Sequence, residues 1–237
     1  MIILLLKFIS FLPLSILRVV DRKKDTNKVS KIDRFGIEAF VGLAGEGKTI
    51  SMTRELNRLR KKYGNDIYIT TNYFYKYQDF PFENWHQLLN EYDKTLIVAW
   101  DELPNEFNSR DFQDFPVELV DKLTQLRKEN GTKIFYTAQD FKLVDVSIRR
   151  LTFYVHQCRT FMERLTYYHT YEKEYYEQYI NTNSVDRKSK IIKYDTKYFF
   201  QNEYLRSSFD SFKTLKSAKS KQYINRSERA ALNNKII

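Results

Sequence analysis

The feature that most constrains this chain is a glycine-rich motif, Gly42-Leu-Ala-Gly-Glu-Gly-Lys-Thr49, set between an apolar and an amphipathic segment. The motif matches the pattern G-x-x-x-x-G-K-[ST] of phosphate-binding loops. The preceding segment, Gly36–Val41, is typical of a buried strand, and the segment from Lys48 to about Tyr63 has the apolar spacing of a helix. A strand, this loop and a helix in that order predict a nucleotide-binding α/β fold.

Each position of the loop has a chemical role in this interpretation. Glycines let the backbone curl, so that successive N–H groups and the helix N-terminus face the phosphates of ATP. Lys48 is expected to reach the β and γ oxygens and to act in catalysis, and the Thr49 hydroxyl is expected to bind Mg²⁺. The expected nucleotide-binding residues are Gly42, Ala44, Gly45, Glu46, Gly47, Lys48, Thr49 and Ile50. The alternative is a glycine-rich turn with an incidental Lys-Thr pair.

A second motif consists of an apolar strand, Thr95–Trp100, that ends in Asp101 and Glu102. Ligands of open α/β folds bind at the carboxyl ends of the strands, so this pair is expected beside the phosphate-binding loop. Asp101 is predicted to hold Mg²⁺ through its water shell, and Glu102 to orient and partly deprotonate the attacking water. The alternative is that one of the two acids only caps the following loop.

Two further residues are candidates for catalysis. Gln139 follows a predicted strand at 133–137 and is expected to sense the γ-phosphate or the attacking water. Arg127, with Arg149 and Arg150 as alternatives, is a candidate arginine finger for a neighbouring subunit's site, where a cation stabilises the transition state of phosphoryl transfer. An ordinary loop glutamine and solvated surface arginines would have the same appearance in the sequence.

The order of elements predicts a three-layer P-loop NTPase fold. Strands are predicted at 36–41, 67–71, 95–100, 133–137 and 151–156, and helices at 48–63, around 85–92 and at 117–129. This alternation favours a mainly parallel sheet with helices on both faces. The tyrosine-rich stretch at 164–179 has the pattern of a hairpin, and the lysine- and serine-rich stretch at 209–237 that of a helical or mobile tail.

The chain begins with an apolar segment that is typical of membrane proteins. Residues 1–20 approach the roughly 20 residues that cross a bilayer, and the basic residues that follow would keep the remainder in the cytoplasm. Lys7 and Pro13 leave open an interfacial or domain-packed helix. We expect a membrane segment at 1–20, a polar linker at 21–33, an ATPase domain at 34–160 and a basic extension at 161–237, with the ATPase domain on the cytoplasmic side of the host membrane.

The net charge and the cysteine content restrict the kinds of binding partner and of metal site. The net charge of +10 favours anionic partners such as nucleic acid or phospholipid headgroups. Cys158 is the only cysteine in the sequence, which excludes an intrachain disulfide or a cysteine-rich metal site.

The motifs, taken in order, resemble the zonula-occludens-toxin-like ATPases of filamentous phages, within the larger FtsK–HerA group. The resemblance covers residues 36–158 and depends on the phosphate-binding loop followed by Asn72, Asp101-Glu102, Arg110 and Gln139. It implies a protein of the host cytoplasmic membrane that serves phage assembly and extrusion of single-stranded DNA. The implied partners are ATP and Mg²⁺, single- or double-stranded DNA, phage coat or assembly proteins, and further copies of the chain, such as a hexamer.

Several functions stay open at this point. The apolar segment is N-terminal here, whereas filamentous-phage relatives commonly carry it after the ATPase domain, so assembly and genome packaging into a capsid are both compatible with the sequence. A nucleotide-gated membrane adaptor with little turnover is a third reading. A small-molecule kinase would usually have a substrate-binding arginine cluster and a lid. Arg149 and Arg150 alone give little support for this function.

Overall fold

A large β-sheet runs through the centre of the part of the chain that the structure describes. The computed structural model describes residues 29–108 and 116–214. Its strands are Gly36–Val41 (β1), Ile67–Thr71 (β2), Tyr73–Tyr75 (β3), Phe80–Pro81 (β4), Thr95–Trp100 (β5), Thr132–Ala138 (β6), Thr152–Phe161 (β7), Leu165–Glu172 (β8), Asp195–Phe200 (β9) and Phe209–Thr214 (β10). Its α-helices are Lys31–Arg34 (α1), Lys48–Tyr63 (α2), Val117–Thr124 (α3), Val146–Leu151 (α4), Lys173–Asn181 (α5), Val185–Ser189 (α6) and Glu203–Arg206 (α7). Short 3-10 helices occur at Gly64–Asp66, Trp85–Leu89, Leu103–Asn105 and Phe141–Leu143.

The strand order places the phosphate-binding loop in the parallel part of this sheet. Eight of the described strands form one sheet in the order β4-β2-β5-β6-β1-β7-β8-β9. In this order, the six strands from β4 to β7 are parallel to one another. Strand β8 pairs antiparallel with both β7 and β9. Strands β10 and β3 form a separate antiparallel pair. The prediction of a mainly parallel sheet is confirmed, and strands β8 and β9, which follow residue 160, continue the same sheet.

The register brings the ends of three central strands together. Strand β6 lies between β1 and β5, with Val41 opposite Ala138 and Trp100 opposite Tyr136. Residues that follow β1, β5 and β6 therefore meet at one edge of the sheet, which we call the carboxyl edge. This is the edge where ligands bind in open α/β folds.

Helices cover both faces of the sheet, so the three-layer prediction is confirmed. On one face, Met52 and Leu56 of α2 pack with Phe40 and Phe135 of the sheet. The other face carries a second apolar cluster, to which α3, α4 and α5 contribute Leu119, Leu123, Ile148 and Tyr176. Both faces of β5 and β6 are buried, which is the arrangement expected for central strands of a parallel sheet.

Helix α2 has the bounds that the sequence predicted. Met52, Leu56 and Leu59 recur at helical spacing and are fully buried against the sheet. Gly64 follows the last residue with a φ of 53°, and its N–H donates to the Arg60 carbonyl. Lysines and arginines in the last turn interact favourably with the negative end of the helix dipole.

Two predicted helices are shorter in the structure. The helix predicted at 117–129 ends at Thr124 because the next residues turn back to meet the sheet. Leu126 is buried in that turn, and the Asn130 carbonyl accepts hydrogen bonds from Thr95 and Arg34. These tertiary contacts outweigh the local helical pattern. The stretch predicted around 85–92 forms only the 3-10 helix Trp85–Leu89.

The region after residue 150 also differs from the prediction. The strand predicted at 151–156 is β7, which extends to Phe161 and pairs with β8 as a hairpin. Tyrosines at 164–172 therefore lie in a strand, but those at 173–179 lie in α5, where Tyr176 packs against Phe141. The alternating pattern correctly predicts strand β8. The prediction was wrong from Lys173 onward, where the spacing of the tyrosines changes to that of a helix.

Several predicted features fall outside the described residues. These are the apolar segment at 1–20, most of the linker, Arg110 and the tail after Thr214. Residues 29–33 of the expected linker are ordered, because the carboxylate of Asp33 is buried and bonds Arg58, Lys62 and Tyr63 of α2. Within residues 29–108 and 116–214, none of the helices combines the length and apolarity needed to span a bilayer.

Candidate nucleotide-binding site

The phosphate-binding loop joins β1 to α2 at the carboxyl edge. Gly47 precedes the helix in the left-handed conformation, with a φ of 82°. A β-carbon at this position would lie 2.5 Å from the Thr160 hydroxyl oxygen of the neighbouring hairpin, so only glycine fits. Across the loop, the Leu43 N–H donates to the Glu46 carboxylate at 2.7 Å. The Glu46 side chain and the adjacent hairpin thus keep the loop in a compact conformation.

The eight predicted nucleotide-binding residues are all parts of this loop or of the first turn of α2. Ala44 and Gly45 form its exposed tip. Ile50 is buried in the first turn, so it can offer its backbone N–H to a phosphate but not its side chain. The geometry therefore divides these residues into backbone donors and the two side chains that carry chemistry, Lys48 and Thr49.

Lys48 lies at the centre of the site and is only 6% exposed. Its ammonium group donates to the Leu43 carbonyl at 3.2 Å and lies 3.6 Å from the Glu102 carboxylate. A buried ammonium needs anionic partners. In the structure, a carbonyl of the loop and the Glu102 carboxylate supply the oxygens of these two contacts, and a phosphate would be a third partner of the same group.

Asp101 is brought next to the loop from the end of β5. One of its carboxylate oxygens accepts hydrogen bonds from the hydroxyls of Thr49, at 2.9 Å, and Thr137, at 2.7 Å. Burial raises the pKa of Asp101, and these two hydrogen bonds and the charge of Lys48 offset that effect only in part. Among the described residues, the positive charge near this carboxylate therefore does not fully compensate its burial.

Asn72 fixes the backbone of Asp101. Its side-chain amide donates to the Asp101 carbonyl at 2.9 Å, and its side-chain oxygen accepts from the Asp101 N–H at 2.7 Å. This double hydrogen bond ties the end of β2 to the end of β5 and sets the direction in which the Asp101 side chain leaves the strand. In the sequence, Asn72 was marked only by the family resemblance.

Glu102 has a strained backbone that directs its side chain into the site. Its φ is 50°, in the left-handed region that costs a residue with a β-carbon about 1 kcal/mol or more. The Glu102 N–H donates to the Thr137 hydroxyl at 2.7 Å, which stabilises this conformation. The result is a half-exposed carboxylate beside Lys48, where it can contact water.

Thr137 is the site residue that sequence reasoning missed. It lies on β6, between the strands that carry the loop and the acidic pair, and its hydroxyl contacts both Asp101 and Glu102. The available signal was a threonine one position before the end of the strand. Its role depends on the order of the strands, which the sequence pattern did not specify.

The oxygens at this site suit Mg²⁺. A threonine hydroxyl and a carboxylate are hard donors of the type that this ion prefers, and they lie 2.9 Å apart. The described residues contain no cluster of three or more histidine, cysteine, aspartate or glutamate residues that could hold a metal. Thr49 and Asp101 therefore fit an ion that keeps most of its ligands as water and phosphate oxygens, as Mg²⁺ commonly does.

The remaining candidates occupy different edges of the sheet. Gln139 is exposed at the end of β6, on the carboxyl edge. Arg127 is exposed in the turn before β6, so it lies at the opposite edge, away from the loop of its own chain. Arg149, whose guanidinium donates to the Val144 carbonyl at 3.1 Å, and Arg150 lie just before β7, also near that opposite edge. The structure does not bring these three arginines into the site of their own chain.

Comparison with known proteins gives a likeness in fold. No protein-family model and no curated protein matches the chain. Among solved structures, it is similar to the N-terminal domain of zonular occludens toxin from Neisseria meningitidis, with 17% identity and a TM-score of 0.52 over 75% of this chain and 100% of that one. This likeness shows a shared fold and agrees with the resemblance that the sequence motifs indicate.

Two other solved structures show a weaker similarity. The genome packaging NTPase B204 from Sulfolobus turreted icosahedral virus 2, in complex with ATP-gammaS, has 11% identity and a TM-score of 0.47 over 72% of this chain and 98% of that one. The Legionella pneumophila ATPase DotB has 12% identity and a TM-score of 0.33 over 85% of this chain and 61% of that one.

Proposed function

We propose that this chain is an ATPase that binds ATP with Mg²⁺ at the loop Gly42–Thr49. The observation that carries this proposal is the convergence of two strand ends on one helix N-terminus. There, the hydroxyl of Thr49 meets the carboxylate of Asp101 at 2.9 Å, and the ammonium of Lys48 lies 3.6 Å from Glu102. A partly buried carboxylate, a buried ammonium and the backbone N–H groups at the start of the helix are complementary to a magnesium-bound triphosphate.

The contact between Lys48 and Glu102 suggests how binding prepares hydrolysis. In the structure, the ammonium contacts both the Glu102 carboxylate and the Leu43 carbonyl. Phosphate oxygens would compete for the same ammonium, because they carry more negative charge than one carboxylate. Glu102 would then lose its cation and become a better proton acceptor, positioned to orient and deprotonate the attacking water. When bound, Mg²⁺ would supply additional compensation for the charge that develops on the phosphates.

We further propose that hydrolysis drives DNA movement in phage assembly at the host cytoplasmic membrane. The net charge of +10, the apolar segment at 1–20 and the family resemblance support this role. Assembly into a ring such as a hexamer would allow Arg127, which is distant from its own loop, to act on a neighbour's ATP, with Gln139 as the sensor of the γ-phosphate. Phage coat or assembly proteins would then be partners of the same complex.

Genome packaging is the second candidate, because the apolar segment precedes the ATPase domain instead of following it. The two roles differ in where the protein resides. A packaging enzyme would be recovered with capsids and its ATP hydrolysis would be stimulated by DNA, whereas an extrusion enzyme would stay with the membrane fraction. Fractionation of infected cells, followed by detection of the protein in virions, separates the two.

Replacement of Lys48 tests the ATPase itself. Lys48→Ala removes the charge that compensates the phosphates in the ground state and more strongly in the transition state, so phosphate release should fall to background. Lys190→Ala, at an exposed lysine, is the matched control and should keep wild-type turnover. If purified Lys48→Ala hydrolyses ATP as fast as the wild type, this is not the catalytic site.

A further inference from the structure

A basic cavity lies on the outer side of α2, away from the nucleotide site. It has a volume of about 640 Å³. Three of its lining residues, Arg54, Arg58 and Lys61, are spaced four and three positions apart and so share one face of the helix. No acidic side chain is among the lining residues, which are Arg54, Asn57, Arg58, Arg60, Lys61, Tyr77 and Tyr204.

The cations of this cavity keep hydrogen-bonding capacity. The guanidinium of Arg58 bonds the buried carboxylates of Asp33 and Glu55. Its side chain is nonetheless 43% exposed, and its terminal nitrogen Nη1 makes no hydrogen bond to a described residue. Arg54 makes one long ion pair with Glu55, at 3.4 Å, lies over the ring of Phe199 at 4.9 Å from its centroid, and is 36% exposed. Lys61 is exposed and has no ion pair among the described residues. The buried acids therefore position the arginines without filling the cavity.

Two tyrosines form the opposite wall. The rings of Tyr77 and Tyr204 lie 6.4 Å apart, and Tyr204 is 60% exposed. Arg60 fixes this wall, because its guanidinium donates to the Tyr77 carbonyl and to Asp79. A ring face that is both supported and open to solvent can stack with another flat ring.

We propose that this cavity is a binding site for single-stranded nucleic acid. Cations along the helix would contact phosphates, and the Tyr204 ring would stack on a base, which is the combination that single-strand-binding surfaces use. Arg54 and Lys61 are seven residues apart, about 10 Å along the helix, which leaves room for more than one phosphate. Bases of a duplex are stacked on each other, so a duplex cannot offer one to the tyrosine. This site deepens the DNA-moving role proposed above and would give that role its substrate class.

Charge argues against the chain's own tail as the occupant. Strand β10 pairs with β3, with Phe209 opposite Tyr75 and Thr214 opposite Tyr73, so the tail that follows Thr214 begins at the neighbouring strand pair. The sequence at 215–237 contains six lysines and arginines and only one glutamate. A basic segment is repelled by a basic cavity, whereas both would attract the same polyanion.

The experiment is fluorescence anisotropy of a labelled 20-nucleotide oligothymidine with the full chain in detergent, without ATP. Lys61→Glu should weaken binding and reduce the slope of log K against log salt by about 0.7, the contribution of one phosphate contact to a single strand. Tyr204→Ala should weaken binding about five-fold or more, and Tyr204→Phe, which keeps the ring, should bind as the wild type does. Lys190→Glu makes the same charge change next to Ile191, which packs on the other face of the sheet, and should have no effect.

Each result decides the assignment. Wild-type binding by both Lys61→Glu and Tyr204→Ala, with unchanged melting temperatures, would overturn it. Equal competition by a duplex or by polyglutamate, together with no effect of Tyr204→Ala, would show a general polyanion surface and would also overturn it. Because ATP is absent and the assay can be repeated in Lys48→Ala, this result is independent of whether the chain hydrolyses ATP.

Discussion

Two partly buried carboxylates, one in the central sheet and one at its carboxyl edge, have opposite electrostatic environments. Glu38, in β1, is bonded by the ammonium of Lys133 in β6 and, at 3.0 Å, by the imidazole of His156 in β7. Burial alone would raise its pKa, but these two partners together lower the pKa of Glu38 to about 2. Asp101, at the end of β5, bonds two hydroxyls among the described residues and has Lys48 at a greater distance, and burial raises its pKa.

The difference separates structural charge from functional charge. The Glu38 cluster is complete, because every partner that the carboxylate needs comes from the neighbouring strands. The Asp101 site is incomplete, because the hydroxyls and the Lys48 charge that the described residues supply do not fully compensate its burial. An incomplete site has a cost to folding that is recovered when a ligand supplies the missing charge. The same sheet therefore uses one buried acid for stability and leaves the other for a ligand.

The largest expected effect comes from breaking the complete cluster. Lys133→Met should leave Glu38 buried beside His156 without its strongest partner and lower the free energy of unfolding by about 3–5 kcal/mol. Urea denaturation measures this loss. Lys190→Met, at an exposed lysine, is the control and should change stability by less than about 0.5 kcal/mol. A loss below about 1 kcal/mol for Lys133→Met would mean that the cluster is not needed.

Acid should weaken the same cluster. The pKa of Glu38 is lower in the folded chain, about 2, than its ordinary value of 4.5, so its contribution is present above pH 4.5 and is lost as pH falls towards 2. The shift corresponds to about 3 kcal/mol. Asp33 and Glu55 have lowered pKa values too, so the useful quantity is the difference between wild type and Glu38→Gln. This difference should shrink between pH 6 and pH 2.5, and a constant difference would contradict the assignment.

At the incomplete site, Glu102→Gln is expected to separate binding from chemistry. The amide keeps the shape of the side chain but cannot accept the proton of the attacking water, so turnover should fall roughly 10²-fold or more while ATP still binds. Steady-state phosphate release and equilibrium nucleotide binding measure the two properties. Glu91→Gln, at an exposed glutamate, is the control. Parallel loss of binding and turnover would make Glu102 a ligand for nucleotide or metal instead of a base.

Local sequence patterns were sufficient for the elements around the loop. Strands β1, β2 and β5 and helix α2 have the bounds predicted from apolar runs and helical spacing. The same patterns placed Lys48, Thr49, Asp101 and Glu102 at strand or helix ends, and the structure brings those four together. Each of these inferences needs only neighbouring residues, which is why the sequence could support it.

The side-chain contacts that the sequence could not predict depend on which strands are neighbours in the sheet. Thr137 contacts Asp101 because β6 lies between β1 and β5, and Glu38 meets His156 because β7 lies on the other side of β1. Neither adjacency follows from periodicity. Arg127 lies at the edge opposite the loop because it precedes β6, which is parallel to β1 and β5.

The most direct test of the account is calorimetric melting of the full chain and of Asp101→Asn, with ATP and with or without Mg²⁺. Because the pKa of Asp101 is raised on folding, its ionised form opposes folding at neutral pH, and Asp101→Asn should melt at a higher temperature than the wild type without nucleotide. At one hundred times the dissociation constant, Mg²⁺ with ATP should stabilise the wild type by about 2.7 kcal/mol. The variant should lose the part of this stabilisation that requires Mg²⁺. If Asp101→Asn melts lower without nucleotide and still gains the full magnesium-dependent stabilisation, Asp101 is a structural residue and the account is wrong.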